Sequence, residues 1–214
     1  MIPDPKQQVR RGYDRLSTLY RADEGAPAEY LGWTRELLAR LVPGSEVLDL
    51  GCGCGVPVAR SLAAAGHQVT GVDFSEVQLG RARRLVPEAD FICADMAELR
   101  RAPESFDAIV CLYAIIHLPL EEQPGFLARL ATWLRPGGWL LLTAGDRAWT
   151  GSQPDWLGGG TPMWWSQANL EAYRAWVRAA GLVITDWSRV AEGQVTHSLF
   201  WARRETGEAW PQVV

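Results

Sequence analysis

The sequence predicts a single α/β domain, a three-layer sandwich in which a seven-stranded, mostly parallel sheet with an antiparallel last strand lies between helices. Three observations predict it. Short apolar runs alternate with amphipathic helical patterns from Ser45 to Thr143, and such alternation requires right-handed crossovers and a parallel sheet. The run Phe106 to Ile116 is almost continuously apolar after Asp107, the pattern of a central strand buried on both faces. The chain closes with two strand patterns, Leu182 to Val190 and Gln194 to Arg203, joined by a short Ala-Glu-Gly turn that makes an antiparallel hairpin. With 214 residues and 48% hydrophobic content, the chain can bury the core of one such domain.

Tyr13, Leu16 and Tyr20 recur at helical spacing, so Arg10 to Arg21 is expected to be a short amphipathic helix. Tyr30, Leu31, Thr34, Leu37, Leu38 and Leu41 give a stronger helical stripe, stopped by Pro43-Gly44. Residues 1–42 therefore read as a helical cap region, 43–204 as the main domain and 205–214 as a tail. The first strand, Ser45 to Leu50, runs into Val47 to Gly55, which reads Val-Leu-Asp-Leu-Gly-Cys-Gly-Cys-Gly. Three alternating glycines after a buried strand mark a loop that must pass very close to a ligand. The helix expected from Val56 to Ala65 would turn its free N-terminal amides toward that ligand. Asp49 stands inside the strand, where a buried carboxylate is costly unless amides or a ligand satisfy it. The dinucleotide fingerprint needs glycine at the sixth loop position, which is Val56 here, and the phosphate loop needs a Gly-Lys-Ser/Thr ending that is absent.

The second strand, His67 to Asp73, ends in Gly-Val-Asp-Phe-Ser. Asp73 lies about 20 residues past the glycine loop, where an acid at a strand's carboxyl end accepts from ribose hydroxyls. Ser75 with Gln78 forms a capping box for the helix to Leu85, which leaves Asp73 free for a ligand. The third strand is Ala89 to Ala94, followed by Asp95-Met96. The fourth leads into His117-Leu118-Pro119. Glu121 to Leu134 is then a helix with Phe126, Leu127, Leu130 and Leu134 inward, and Pro136-Gly137-Gly138 turns the chain into the strand Trp139 to Thr143. Ligands of such sheets collect at the carboxyl ends of the strands. Asp49 to Gly55, Asp73, Asp95 and the segment after Val110 all fall on that edge.

Ala144 to Ser166 breaks the rhythm with Gly-Ser, Gly-Gly-Gly and two prolines, yet carries Trp149, Trp156, Met163, Trp164 and Trp165. A long loop in a compact domain is functional or disordered, and a disordered one is poor in aromatics, so this stretch reads as a lid or wall over a substrate. The competing reading is a set of tryptophans that close the outer core. Six of the chain's eleven tryptophans fall between Trp139 and Trp176. Asn169 to Ala180 returns as a helix with Leu170, Tyr173 and Val177 on one face, ended by Gly181.

The net charge of −4 argues against a nucleic-acid partner, since the basic clusters Arg81 to Arg84 and Arg203-Arg204 fall where solvated faces are expected. Four cysteines, two in the glycine loop and Cys93 and Cys111 in strands expected to be buried, read as reduced residues. Three scattered histidines supply no metal site. No stretch approaches the ~18 apolar residues that span a bilayer, and Met-Ile-Pro-Asp-Pro-Lys lacks a secretory apolar region, so a cytoplasmic protein is expected; it is taken as a monomer or homodimer, a choice the sequence leaves open.

The strand Asp with its alternating glycines, Asp73, and the Pro-Gly-Gly turn resemble the motifs of the class I S-adenosylmethionine-dependent methyltransferases, over roughly Tyr13 to Arg204. The resemblance implies a Rossmann-like sheet of order 3-2-1-4-5-7-6, with the final strand between the fifth and sixth. It implies S-adenosylmethionine as cofactor and S-adenosylhomocysteine as product, with the glycine loop passing the methionine and ribose parts. Asp95 would accept from the adenine amine, the Met96 amide would meet the ring, and the N-terminal helix would fold over the cofactor with its tyrosines. The cofactor-binding candidates are Tyr13, Tyr20, Asp49, Gly51, Cys52, Gly53, Asp73, Phe74, Asp95, Met96, Cys111 and Leu112. Transfer from a sulfonium is an in-line displacement in which positioning supplies most of the rate. His117, after the fourth strand, is the first candidate base and His197 the second, because imidazole titrates near neutrality. His67, at the opposite edge, reads as structural. Tyr113, Trp149, Trp164 and Trp165 are the substrate candidates, and they suit a small aromatic, apolar or cationic acceptor. Oxygen, nitrogen and sulfur acceptors stay open, as do two other readings, an NAD-dependent oxidoreductase and a non-catalytic S-adenosylmethionine-binding protein.

Overall fold

In the computed structural model, which describes residues 4–25, 27–193 and 195–206, the first aliphatic run forms β1 (Glu46–Leu50) at the heart of a seven-stranded sheet. It pairs in parallel with β2 (Gln68–Asp73) and with β4 (Phe106–Cys111). β3 (Asp90–Cys93) lies beyond β2, and β5 (Leu134–Gly145) lies beyond β4. Side chains alternate between two cores, as the period of a strand demands. Leu48, Ile109, Leu140, Leu142 and Phe200 meet Phe126, Leu127 and Leu130 of α5 (Gln123–Trp133) and Tyr173 and Val177 of α6 (Leu170–Ala179). Val47, Val69, Val110, Leu141 and Trp201 face the other way. They meet Leu37 of α2 (Ala28–Leu38) and Val58, Ala59 and Leu62 of α3 (Val58–Ala64).

Two strands leave this sheet. β6 (Trp149–Gln153) and β7 (Met163–Gln167) pair antiparallel with each other, and β8 (Leu182–Glu192) and β9 (Val195–Arg204) then return to the main sheet. β9 runs antiparallel between β5 and β8, so the order is β3-β2-β1-β4-β5-β9-β8. The described chain thus has nine strands instead of seven. With the separate pair set aside, the main sheet follows 3-2-1-4-5-7-6.

Several local expectations are corrected. α1 (Pro5–Tyr20) starts five residues before Arg10, because Asp4 accepts from the Lys6 amide and Pro5 suits the first turn. The apolar run after Asp107 is not one strand. β4 stops at Cys111, Tyr113 takes a left-handed φ of 56°, and Ile115–His117 form a 3-10 turn. Burial of that turn keeps the run apolar, and apolarity alone does not distinguish it from strand. Leu31 is exposed while Thr34 and Leu37 carry the inner face of α2, and Cys93 is exposed because β3 is an edge strand. Arg81 of α4 (Glu76–Leu85) is 6% exposed, not solvated. The stretch read as an irregular lid is built around β6 and β7, and a third cluster of Val9, Leu16, Trp156 and Met163 packs it on α1. Residues 1–3, Ala26, Gln194 and 207–214, hence most of the proposed tail, lie outside the described residues.

Candidate active site

The carboxyl ends of β1 and β2 carry the first pieces of the site. Gly51, Gly53 and Gly55 hold φ of 69°, 54° and 76°, which side chains rarely adopt. A Cβ on Gly51 would collide with that of Ala114, so the loop and the turn after β4 are in direct contact. The Gly51 and Cys52 amides both donate to the Val72 carbonyl, tying the loop to β2. Asp73 completes the tie: its carboxylate accepts from the Gly53 amide at 2.9 Å and the Ser75 amide at 2.9 Å. The capping box is therefore only half formed. The Ser75 hydroxyl accepts from the Gln78 amide, while the Gln78 side chain accepts from the Ser17 hydroxyl instead of reaching back. Pro57 precedes α3 and has no amide to offer, so the loop amides carry more of the expected helix-terminus role than the helix does.

Two acids share this corner. Burial pushes the Asp73 carboxyl up to about 6 against the pull of its backbone donors. Asp49, 4% exposed, is pushed up to about 7 by burial and then by the charge of Asp73, and no hydrogen bond offsets this among the described residues. A buried carboxyl without a donor is costly unless a cation or donor meets it.

α1 lies across the same edge, tethered at both ends. Lys6, the only lysine in the chain, donates to Asp95 at 3.0 Å and to Glu122 at 2.6 Å. At the other end the buried Arg81 donates to the Ser17 carbonyl and hydroxyl, the Arg21 carbonyl and the Asp23 carboxylate. Between the tethers, Tyr13 and Tyr20 meet edge to face at 5.1 Å.

His117 is held from two sides, by the Tyr13 hydroxyl at Nε2 (2.9 Å) and by the Trp164 carbonyl at Nδ1 (2.9 Å). A carbonyl only accepts, so Nδ1 carries the hydrogen and Nε2 takes the hydrogen of Tyr13. Burial pushes this imidazole down to about 4, and it stays neutral at physiological pH. His197 is buried with Nε2 3.1 Å from Glu192, and its Nδ1 is buried without a partner among the described residues. Neither ring presents a bare nitrogen to the cavity.

Tyr13, Tyr20, Gly51, Gly53, Asp73, Phe74, Asp95, Met96, Leu112, Tyr113 and His117 come together around one cleft. Asp49 and Cys52 line an adjoining chamber on the far side of Gly51 and Gly53. Tyr13, Tyr20, Tyr113 and His117 also border a cavity of about 1160 Å³ whose wall includes Trp149, Trp165 and His197. Two candidates lie elsewhere. Cys111 is fully buried in the core with its thiol pushed up to about 12 by burial, and the Trp164 side chain packs in the cluster beneath β7, reaching the site only through its carbonyl. Sequence reasoning missed Lys6, Arg21, Tyr30 and Glu192 as lining residues, whereas Trp156, named in the expected wall, does line the cavity. The single lysine was the one signal available for any of them.

Residues 47–138 match the family described as "Methyltransferase domain". The chain is 35% identical over 122 residues to the ubiquinone biosynthesis O-methyltransferase of Bordetella pertussis, covering 55% of this chain and 49% of that protein. It is 34% identical over 163 residues to the 27-O-demethylrifamycin SV methyltransferase of Amycolatopsis mediterranei, covering 65% of this chain and 58% of that protein. The chain thus spans about half the length of the curated relatives it matches. The solved magnesium protoporphyrin IX methyltransferase of Synechocystis, with bound S-adenosylmethionine, superimposes with a TM-score of 0.73 at 22% identity, over 95% of this chain and 98% of that one. The matched segment contains the glycine loop, Asp73 and the Pro-Gly-Gly turn, and over these residues the chain is similar to the methyltransferase-domain family.

Proposed function

We propose that this chain methylates an oxygen, nitrogen or sulfur atom of a small aromatic or apolar molecule, with S-adenosylmethionine as the donor. One observation carries the reading: the cleft at the strand ends and the aromatic cavity of about 1160 Å³ share Tyr13, Tyr20, Tyr113 and His117. A donor in the first and an acceptor in the second would meet at that wall. The residues fit the cofactor's chemistry, because two buried carboxyls, Asp49 and Asp73, stand where a ligand carrying a sulfonium and an ammonium would bind, and Asp95 offers an acceptor beside Met96. When bound, the cofactor supplies a methyl group on a cationic sulfur, open to in-line displacement by the acceptor's lone pair.

The remaining work falls to the chain. Asp73, fixed by two backbone donors, holds ribose hydroxyls. α1, tethered through Lys6 and Arg81, excludes water above the cleft. Trp149, Trp156 and Trp165 give flat faces that align an aromatic acceptor, and alignment is the main source of rate in such a transfer. The half-exposed Glu192, backed by His197, is the cavity group positioned to receive the acceptor's proton. His117, neutral and doubly held, is assigned to positioning Tyr13 and the β7 strand. The relatives' names support oxygen as the acceptor atom.

The same reading takes α1 and α2 as the cap of a domain spanning 43–204, and the protein as a cytoplasmic monomer or homodimer acting on free metabolites and not on nucleic acid. Among the described residues, no helix is long and apolar enough to cross a membrane. The glycine spacing gives an NAD-dependent reading no support, and a cavity of this size beside the cleft argues against a purely structural binder. The test is incubation with methyl-labelled S-adenosylmethionine and a panel of phenols, amines and thiols. Labelled product with equimolar S-adenosylhomocysteine is the expected outcome. Micromolar cofactor binding with no transfer to any acceptor class would reduce the protein to a binder.

A further inference from the structure

Building on the methyltransferase reading, we propose that the acceptor is an extended amphiphile: a methylatable polar head seated beside Tyr113 and Glu192, on an apolar body that lies along a row of tryptophans and leaves the protein between Trp149, Leu157 and Val195. The cavity of about 1160 Å³ exceeds the roughly 300–1,000 Å³ of pockets that bury drug-sized ligands, so a single-ring acceptor would leave much of it to water. Its walls mark the path for the rest of the ligand. Tyr13, which also borders the cleft at the strand ends, meets Trp156 edge to face at 5.1 Å; Trp156 meets Trp165 at 6.4 Å, and Trp165 meets Trp149 at 6.0 Å. The row begins at the wall shared with the donor and ends in a ring that is 48% exposed.

The mouth is apolar where a solvated rim is expected. Leu157 and Val195 border the same cavity and are 46% and 55% exposed, so with Trp149 three large apolar side chains converge on one opening. Leu157 is held there on a strained backbone, at a left-handed φ of 56°, directly before three glycines that take such angles at less cost. Polar side chains along the walls are already engaged with the protein. The Gln167 amide donates to the Arg147 carbonyl at 3.1 Å, the Thr196 hydroxyl donates to the Asp146 carboxylate at 3.0 Å, and the Ser152 hydroxyl accepts from Gln8 at 3.0 Å. Arg147, which also borders the cavity, is exposed. The walls therefore offer a ligand mostly carbon, with the Glu192–His197 pair left to meet a polar head. A wholly polar metabolite would give up its hydration along this track, whereas an apolar body gains by leaving water.

The test is titration of the full chain, saturated with S-adenosylhomocysteine, with 4-alkylphenols from ethyl to octyl, read by tryptophan fluorescence. One-to-one binding should tighten about threefold with each added methylene. The double variant Leu157→Asp with Val195→Asp should lose at least about tenfold of the gain shown by the octyl member, with the melting curve and S-adenosylhomocysteine affinity as checks on the fold. A wild-type affinity that does not change with chain length, at normal S-adenosylhomocysteine affinity, would overturn the extended acceptor and leave the methyltransferase reading standing. An undiminished gain in the double variant would overturn the exit past Leu157 and Val195. Sedimentation of the wild type with phosphatidylcholine vesicles in the absence of alkylphenol, lost in the double variant, would give the rim to a bilayer and overturn its assignment to the acceptor. A wild type that binds no S-adenosylhomocysteine would overturn the methyltransferase reading itself.

Discussion

Replacing Asp49 with Asn separates what this carboxyl costs the ligand-free protein from what it supplies to a ligand. Burial and the charge of Asp73 move its carboxyl from 3.8 to about 7. The folded chain then holds a proton that the unfolded chain has already released, so stability falls as pH rises from about 4 to about 7 and is level above that. At ~1.36 kcal/mol per pH unit this interval gives an upper bound of about 4 kcal/mol, which sharing of charge with Asp73 lowers to roughly 2–4 kcal/mol. Asn carries no charge at any pH. Asp49→Asn should therefore match the wild type near pH 4 and exceed its stability by about 2–4 kcal/mol at pH 8. His117, pushed down to about 4, contributes the opposite slope, with stability lost as pH falls from 6.5 toward 4. That slope is common to both proteins and cancels in the difference. Urea unfolding followed by tryptophan fluorescence across pH 4.5–8.5 gives the comparison, and S-adenosylhomocysteine affinity at pH 8 should drop at least about tenfold in the variant. A stability difference that is constant with pH, or a variant less stable at pH 8, would refute the picture of an uncompensated buried carboxyl.

Arg81→Leu removes the guanidinium that holds the end of α1. Truncation strands the Arg21 carbonyl and leaves the Ser17 carbonyl with the Arg21 amide alone, so denaturant unfolding should show a loss of about 2–4 kcal/mol and calorimetry a weaker cofactor affinity, whereas exposed Arg84→Leu should change neither appreciably. His117→Asn should lower kcat roughly tenfold through loss of the Tyr13 bond, yet leave the shape of the pH–rate profile between 5 and 8 unchanged. A wild-type inflection near neutrality that vanishes in this variant would restore His117 as the base. Gly51→Ala places a Cβ against Ala114 at a φ of 69°, and should cost about 2–4 kcal/mol by thermal or urea unfolding while removing cofactor binding.

The cleft at the carboxyl ends of β1 and β2 was legible because its constraints are local. Alternating glycines at positive φ, an acid inside β1 and another closing β2 announce themselves in a few residues, and the parallel sheet brings them together. The α1 tethers were not legible. Lys6 reaches Asp95 and Glu122 across 89 and 116 residues, and Arg81 sits in a basic run whose neighbours Arg83 and Arg84 do point to solvent. Only tertiary packing decides which member of such a run turns inward. The Trp-rich segment misled in another way. Its glycines and prolines signal a loop, but Met163–Gln167 finds its strand partner in Trp149–Gln153 through a ladder that no local periodicity records. The histidines show the limit of composition as a guide to chemistry, since a residue able to titrate near neutrality loses that ability once it is buried between Tyr13 and the Trp164 carbonyl.

The central claim, that the cleft along the ends of β1, β2 and β4 holds S-adenosylmethionine, is tested most directly by calorimetric titration of the purified chain with S-adenosylmethionine and S-adenosylhomocysteine, with NAD as control. One-to-one binding of the first two at micromolar affinity and no heat from NAD is the predicted result. Binding of NAD, or no binding of either sulfur ligand to the folded protein, would contradict it.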